Sequence, residues 1–230
     1  MKKVASFHQN CPQLRESLAR LSECSRDLAL RLLRCISLCL DQDLDFMDNI
    51  HLGMLMEGTE GHVENCTTLR SIHYPPISDK MAKDPKIIRK SSVIFASIVP
   101  FTGHCFRCGE HSDYGTITLL YQDQLGGLEV KGVDGQWINA DPVPGTVLVN
   151  VGDLLEALTG GLFPATRHRV VVPELEIRRR TKRQSIVFFI HPDDAVVCEP
   201  LAGPDPRYPP VTARQHLENR FAATYGDNLE

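Results

Sequence analysis

His111, Ser112 and Asp113 place an imidazole and a carboxylate two residues apart, just ahead of the β-branched stretch Thr116-Ile117-Thr118. On an extended strand or its turn, residues two apart point the same way, so both groups can grip one metal ion from one side. A third donor must come from elsewhere in the chain. His168, in Thr166-Arg167-His168-Arg169-Val170-Val171-Val172, follows Asp113 by 55 residues. In an antiparallel barrel of short strands, such a gap returns the chain to the same pocket. Two imidazoles and a carboxylate on one face leave open positions on the ion. That suits non-haem Fe(II), which must also take a chelating cosubstrate and O2. A zinc hydrolase calls for a tetrahedral geometry with a single open position.

His-x-Asp by itself is a weak signal, and a lone histidine on a strand is more often a hydrogen-bonded core residue. The weight comes from Arg183-Gln184-Ser185, which follows His168 by 15 residues and leads into Ile186-Val187-Phe188-Phe189-Ile190. Arg183 and Ser185 face the same way on that strand, and a guanidinium fork beside a hydroxyl is a carboxylate clamp. An iron triad next to such a clamp meets the needs of a 2-oxo acid: one end chelates the metal and the far carboxylate is held. Arg178, Arg179 and Arg180 compete for the clamp role, but only Arg183 has a serine two residues on and an apolar strand after it. The basic run from Arg178 to Lys182 reads as a solvated hairpin tip in preference to a nuclear localisation patch. Cys105-Phe106-Arg107-Cys108 is a lone C-x-x-C beside His104, without the second pair that a structural zinc site requires. His191, in His191-Pro192-Asp193-Asp194, reads as a strand-end residue more than a catalytic one.

Arg107-Cys108-Gly109-Glu110-His111-Ser112-Asp113-Tyr114-Gly115 resembles the isopenicillin N synthase-like branch of the 2-oxoglutarate/Fe(II) dioxygenases. So do Gly126-Gly127-Leu128-Glu129-Val130, Pro144 to Asp153, and His168-Arg169-Val170-Val171-Val172-Pro173. The resemblance covers Arg107 to Tyr225 well and the helix up to Pro76 more loosely. It implies a mainly β fold with flanking helices, a double-stranded β-helix or jelly roll, here N-terminally truncated. It implies His111, Asp113 and His168 as iron ligands, and Arg183 and Ser185 as the clamp for 2-oxoglutarate. Tyr74, in Ile72-His73-Tyr74-Pro75, matches a tyrosine that helps hold the cosubstrate, although Ile72 departs from the asparagine of many plant relatives. The implied reaction uses Fe(II), 2-oxoglutarate and O2 to oxidise, by hydroxylation, an unidentified small molecule. Two alternatives stay open: an oxidase that takes no 2-oxoglutarate, its Arg-x-Ser pair holding the substrate's own carboxylate, and a catalytically inactive binding or scaffold variant.

The elements that must position these residues divide the chain into residues 1–76, 77–106 and 107–230. The first part is helical and ends in a barrel strand. Leu14, Leu18, Leu21, Ser25, Leu28, Leu32, Cys35 and Cys39 recur at steps of four and three, which predicts a helix from Pro12 to Leu40. Such a stripe serves a coiled-coil seam or a helix laid across a sheet. Arg and Cys at the partner positions favour the second. A short helix is expected near Asp43 to Phe46, and a strand over 68–74 that ends at Pro75-Pro76. Residues 77–106 pass from a lysine-rich stretch to an apolar run and read as an atypical insert. The core, 107–230, shows short strands about ten residues apart with turn signals between them, a sandwich or jelly-roll pattern. The expected strands are 115–121, 128–131, 136–140, 145–151, 165–172 and 184–190, followed by a helix over 212–225.

Composition excludes several classes. The 230 residues carry a formal charge of −4 and are 42% hydrophobic, an ordinary globular balance with no polyanion-binding signal. Nucleic acid and membrane are therefore not expected partners; a small-molecule substrate and O2 are, with no reading of oligomeric state. No apolar segment follows Lys2-Lys3, so the eight cysteines are expected as thiols in the cytoplasm or nucleus.

Overall fold

The computed structural model describes residues 12–55, 63–76, 106–171 and 181–225. The chain forms two compact units, Met1–Val63 and Glu64–Glu230. The insert expected over 77–106 lies outside the described residues except for Phe106, and so do Arg178, Arg179, Arg180, His104 and Cys105.

The first unit holds α1 (Pro12–Cys39), α2 (Phe46–Asn49) and α3 (Leu52–Leu55). Pro12 opens α1, where its missing N–H costs nothing. The buried line of α1 is Ser25, Ala29, Leu33 and Ser37, a constant step of four. It shares only Ser25 with the expected leucine stripe, and Leu14, Cys35 and Cys39 are exposed. Hydrophobicity picks out the leucines, but helices that pack closely need small side chains where they touch. Ser37 shows why: its hydroxyl accepts a hydrogen bond from the Met47 amide at 3.1 Å, which closes α2 onto α1. Arg34 donates to Asp48 across the same pair of helices at 2.8 Å.

The second unit is built from β1 (Thr68–Tyr74), β2 (Phe106–His111), β3 (Ile117–Gln122), β4 (Leu128–Lys131), β5 (Trp137–Asn139) and β6 (Leu148–Val151). It continues with α4 (Asp153–Leu158), β7 (His168–Val171), β8 (Arg183–Ile190), β9 (Val197–Cys198), β10 (Val211–Thr212) and α5 (Ala213–Tyr225). Two four-stranded sheets, in the orders β1-β8-β3-β6 and β2-β7-β4-β5, make a double-stranded β-helix, with β9 and β10 as a separate pair. The expected strands all form, and each turn glycine sits where a positive φ is needed: Gly126, Gly127 and Gly135 have φ of 75°, 88° and 79°. Among the elements of this unit, β2, α4 and β9 escape the alternation pattern. β2 begins at Phe106, which pairs with Val171, so the sheet already includes the last residue assigned to the insert. α4 is too short to show a helical period, and β9 is two residues long.

The first sheet fixes which side chains look inward. Thr68, Arg70, Ile72 and Tyr74 of β1 pair with Phe189, Val187, Ser185 and Arg183 of β8. β3 continues the rows, with Thr118 beside Phe189 and Leu120 beside Val187. β6 completes them with Asn150 beside Thr118 and Leu148 beside Leu120. All of these residues line one cavity of about 470 Å³. The alternate residues Leu119 and Phe188 point the other way and are buried as well, so this sheet is covered on both faces.

Candidate metal centre and cosubstrate pocket

His111 is the last residue of β2 and lies directly opposite His168, the first residue of β7. The two rings sit 4.2 Å apart between centroids. Cys108 and His111 are three residues apart, yet both line the cavity. A register shift between them makes this geometrically allowed: the irregularity turns His111 inward when strict alternation would turn it out.

Asp113 sits on the turn after the strand, one of the two placements the sequence allowed. It lies beyond the end of β2, so strand alternation does not align it with His111. Its backbone is held by α4: the Asp153 amide donates to the Asp113 carbonyl at 2.8 Å, and the Leu154 amide to the Gly115 carbonyl at 3.0 Å. The approach is so close that a Cβ on Gly115 would run into the Ile190 carbonyl, and one on Gly152 into the Gly115 carbonyl. Free amides at a helix start thus fix the turn that carries the carboxylate.

The three donor atoms converge, all within 4.8 Å of one another. The Asp113 Oδ1 lies 4.0 Å from His111 Nε2 and 3.7 Å from His168 Nε2. On each histidine the other nitrogen faces a backbone carbonyl: His111 Nδ1 lies 2.8 Å from the Gly109 oxygen and His168 Nδ1 3.0 Å from the Thr166 oxygen. A carbonyl only accepts, so Nδ1 carries the proton and the Nε2 lone pair points at the shared centre. Burial, with His168 close by, pushes His111 down to about 4 against the opposing pull of Asp113. It is therefore neutral at physiological pH, as a metal ligand must be. The second carboxylate oxygen of Asp113 accepts from Asn150 Nδ2 at 3.0 Å. Asn150 was not singled out in the sequence, although an amide in the middle of Leu148-Val149-Asn150-Val151 is the kind of misfit that marks an inward polar role. Cys108 is poorly suited to thiolate chemistry: burial first, and then the charge of Asp113, push its thiol up to about 12.

Arg183 and Ser185 open β8 on the cavity face, both buried, the arginine to 1% exposure. Arg183 Nε donates to the Gly126 carbonyl at 2.9 Å, Nη2 to Gln122 Oε1 at 3.2 Å and Nη1 to Ser185 Oγ at 3.4 Å. Burial lowers its pKa, opposed mainly by Tyr74 and Asp123. A guanidinium stays charged through any such shift, so a fixed positive charge faces the cavity with a hydroxyl beside it. Tyr74 pairs with Arg183 across the strands, and the guanidinium carbon lies 5.1 Å from its ring centre. All six residues singled out from the sequence thus line one cavity. His191 lines it too, and its backbone N–H and carbonyl bond Thr67 and Asn65 at the strand end.

Residues 65–192 match the model of the 2OG-Fe(II) oxygenase superfamily. The chain belongs to that superfamily. Among curated relatives of this chain, the 2-oxoglutarate-Fe(II) type oxidoreductase hxnY of Emericella nidulans is 31% identical over 93% of the chain and 53% of its own length. The homoarginine-6-hydroxylase 2-ODD-C23 of Glycine max is 30% identical over 84% of the chain and 49% of its own length. A full-length Neurospora crassa protein, solved in complex with alpha-KG, superposes with a TM-score of 0.71 at 30% identity, over 92% of this chain and 57% of that one. The chain spans about half the length of the curated relatives it matches. Among the described residues, no helix is long and apolar enough to cross a membrane.

Proposed function

We propose that this chain carries the catalytic core of an Fe(II)- and 2-oxoglutarate-dependent dioxygenase that hydroxylates a small molecule. The observation that carries the reading is a convergent His-Asp-His set and a buried Arg-Ser pair lining the same cavity. His111, Asp113 and His168 hold the iron, with donor types that suit Fe(II) and leave one face open. Arg183 and Ser185 hold the far carboxylate of 2-oxoglutarate, and Tyr74 lines the same end. When bound, iron and the 2-oxo acid supply O2 activation coupled to oxidative decarboxylation. The chain's own part is orientation. Gly109 and Thr166 fix the imidazole tautomers, Asn150 fixes the carboxylate, and Leu120, Leu128, Val170 and Val187 keep the space between dry. The cysteines that are free among the described residues support a reducing compartment, cytoplasm or nucleus.

The test is anaerobic addition of Fe(II) and then 2-oxoglutarate to the folded chain, with the visible spectrum recorded. A metal-to-ligand charge-transfer band that needs both additions is expected. No band from a folded protein would sink the proposal and leave the binding or scaffold reading. The isopenicillin N synthase-like oxidase reading differs in outcome: there Arg183 and Ser185 hold the substrate's carboxylate, and 1-labelled 2-oxoglutarate releases no labelled CO2.

A further inference from the structure

Thr118 carries a buried hydroxyl that neither the metal centre nor the clamp uses. It is 4% exposed and lines the cavity. Its backbone is paired on both sides, with Phe189 of β8 and Asn150 of β6. Among the described residues, nothing hydrogen-bonds its hydroxyl. A hydroxyl withdrawn from water without a partner costs free energy, so this orphan calls for a guest that completes it.

The neighbours of Thr118 fix where that guest lies. Residues directly opposite on paired strands have Cβ atoms about 4.5–5.5 Å apart, so Thr118 stands beside Asn150. The Asn150 amide is already given to the Asp113 carboxylate, at 3.0 Å. The free hydroxyl therefore sits one side chain away from the proposed metal donors. From there the inner face of the sheet changes polarity in bands. Thr118 and Asn150 make a polar band, Leu120, Val187 and Leu148 an apolar one, and Ser185 beside Gln122, then Arg183, the polar band of the clamp. Thr118 and Gln122 are four residues apart, about 13 Å along the strand. An extended five-carbon dicarboxylate with a hydrogen bond of about 2.8 Å at each end spans roughly that length. Its polar ends and central methylenes follow the same order as the bands.

We infer that Thr118 is a further cosubstrate-binding residue, whose hydroxyl donates a hydrogen bond to the 2-oxo acid end of 2-oxoglutarate. Arg183 and Ser185 hold the opposite end. A hydroxyl that donates to an anionic oxygen makes a short, charge-assisted bond, and here it competes with no bond inside the protein. The inference rests on the functional reading above and adds a contact to it at the metal end.

The test compares the whole chain with Thr118→Val, which removes the hydroxyl and keeps the shape, and with Thr118→Ser, which keeps the hydroxyl. Calorimetry is run anaerobically, first with Mn(II) and then with 2-oxoglutarate. Thr118→Val should leave Mn(II) affinity unchanged and weaken 2-oxoglutarate binding about 10- to 100-fold, the range of a hydrogen bond to a charged group. With Fe(II) in place of Mn(II), the charge-transfer band of the 2-oxoglutarate complex should move, because the lost bond is on the chelating end. Thr118→Ser should restore most of the affinity and the position of the band. Without ligands, Thr118→Val should melt no lower than the unaltered chain. A lower melting temperature would show that the hydroxyl already has a partner in the fold, and would overturn the inference. So would an unchanged 2-oxoglutarate affinity, an unmoved band, an equal loss of Mn(II) affinity, or failure of serine to restore binding; each leaves the clamp and triad reading standing. Absence of 2-oxoglutarate binding in the unaltered chain overturns that reading and this inference with it.

Discussion

Asp113 has its two carboxylate oxygens in different roles: Oδ1 faces the histidines and Oδ2 accepts from Asn150. A carboxylate with one oxygen tied off cannot swing, so the other is held ready for the ion. Asn150→Ala should weaken metal binding about 10- to 100-fold, the usual penalty for losing a partner that orients a ligand. Titration with Mn(II) followed by electron paramagnetic resonance checks it, and an unchanged affinity would mean that α4 alone positions Asp113. The clamp separates cleanly from the metal site. Arg183→Ala removes the cavity's fixed charge at that end while leaving His111, Asp113 and His168 in place. It should cost 2-oxoglutarate about 2–4 kcal/mol of binding and leave the metal affinity nearly unchanged, as read by calorimetry. Equal loss of both would indicate unfolding of the site and not loss of a clamp. The proposed site residues His111, Asp113, His168, Arg183 and Ser185, which share one cavity, could be picked out in the sequence because their spacings matched a chemical need. Asn150 and Arg70 could not, since nothing in their spacing relates them to the triad; only strand register brings them to the cavity wall.

Between residue and domain, the turn that carries Asp113 is braced from behind by two helices. Asp153 at the start of α4 lies 3.5 Å from His216 and 3.4 Å from Arg220 of α5, and Arg220 also reaches Ser112 and lies over the Tyr114 ring. Burial by itself would raise the Asp153 carboxyl, but the polar groups of His216 and Ser112 beside it and the charge of Arg220 outweigh it and hold the group below its ordinary value of 3.8. The unfolded chain therefore takes up this proton more readily than the folded one. The stabilisation is fully present above pH 3.8 and is lost as pH falls through the lower folded value. Asp153→Asn should cost about 1–3 kcal/mol at neutral pH and flatten the acid limb of stability against pH. Thermal denaturation across that range checks it; an unchanged acid limb would assign the pH dependence elsewhere. This brace was hidden in the sequence because α4 is only six residues long, and its N-terminal amides act on backbone 40 residues earlier, the separation of Asp113 and Asp153.

For the whole molecule, the three proposed metal donors come from the end of β2, the turn after it and the start of β7, so only the assembled barrel brings them together. A metal ion that binds this set and not the unfolded chain must raise barrel stability. At a free concentration a hundredfold above its dissociation constant, Mn(II) should add about 2.7 kcal/mol. A rise in melting temperature with Mn(II) that EDTA reverses is expected, and His168→Ala should abolish it. A metal-induced rise that survives that substitution would point to a different site.

The sequence by itself determined the class of fold and pointed to the proposed chemistry: alternation of apolar residues with turn glycines yields short antiparallel strands, and few side-chain sets other than two histidines, an aspartate and an Arg-Ser pair suit iron and a 2-oxo acid. Those are local properties, carried by residue type and short spacing. Tertiary structure alone decided that Asp113 is placed by α4 and not by its strand, that a register irregularity turns His111 inward, that α1 buries its small side chains in a line through Ser25 and Ser37, and that Arg70 shares the cavity with the clamp. Each of these depends on which backbone lies opposite which, and pairing between distant segments is set by packing of the whole barrel, which no spacing along the chain encodes.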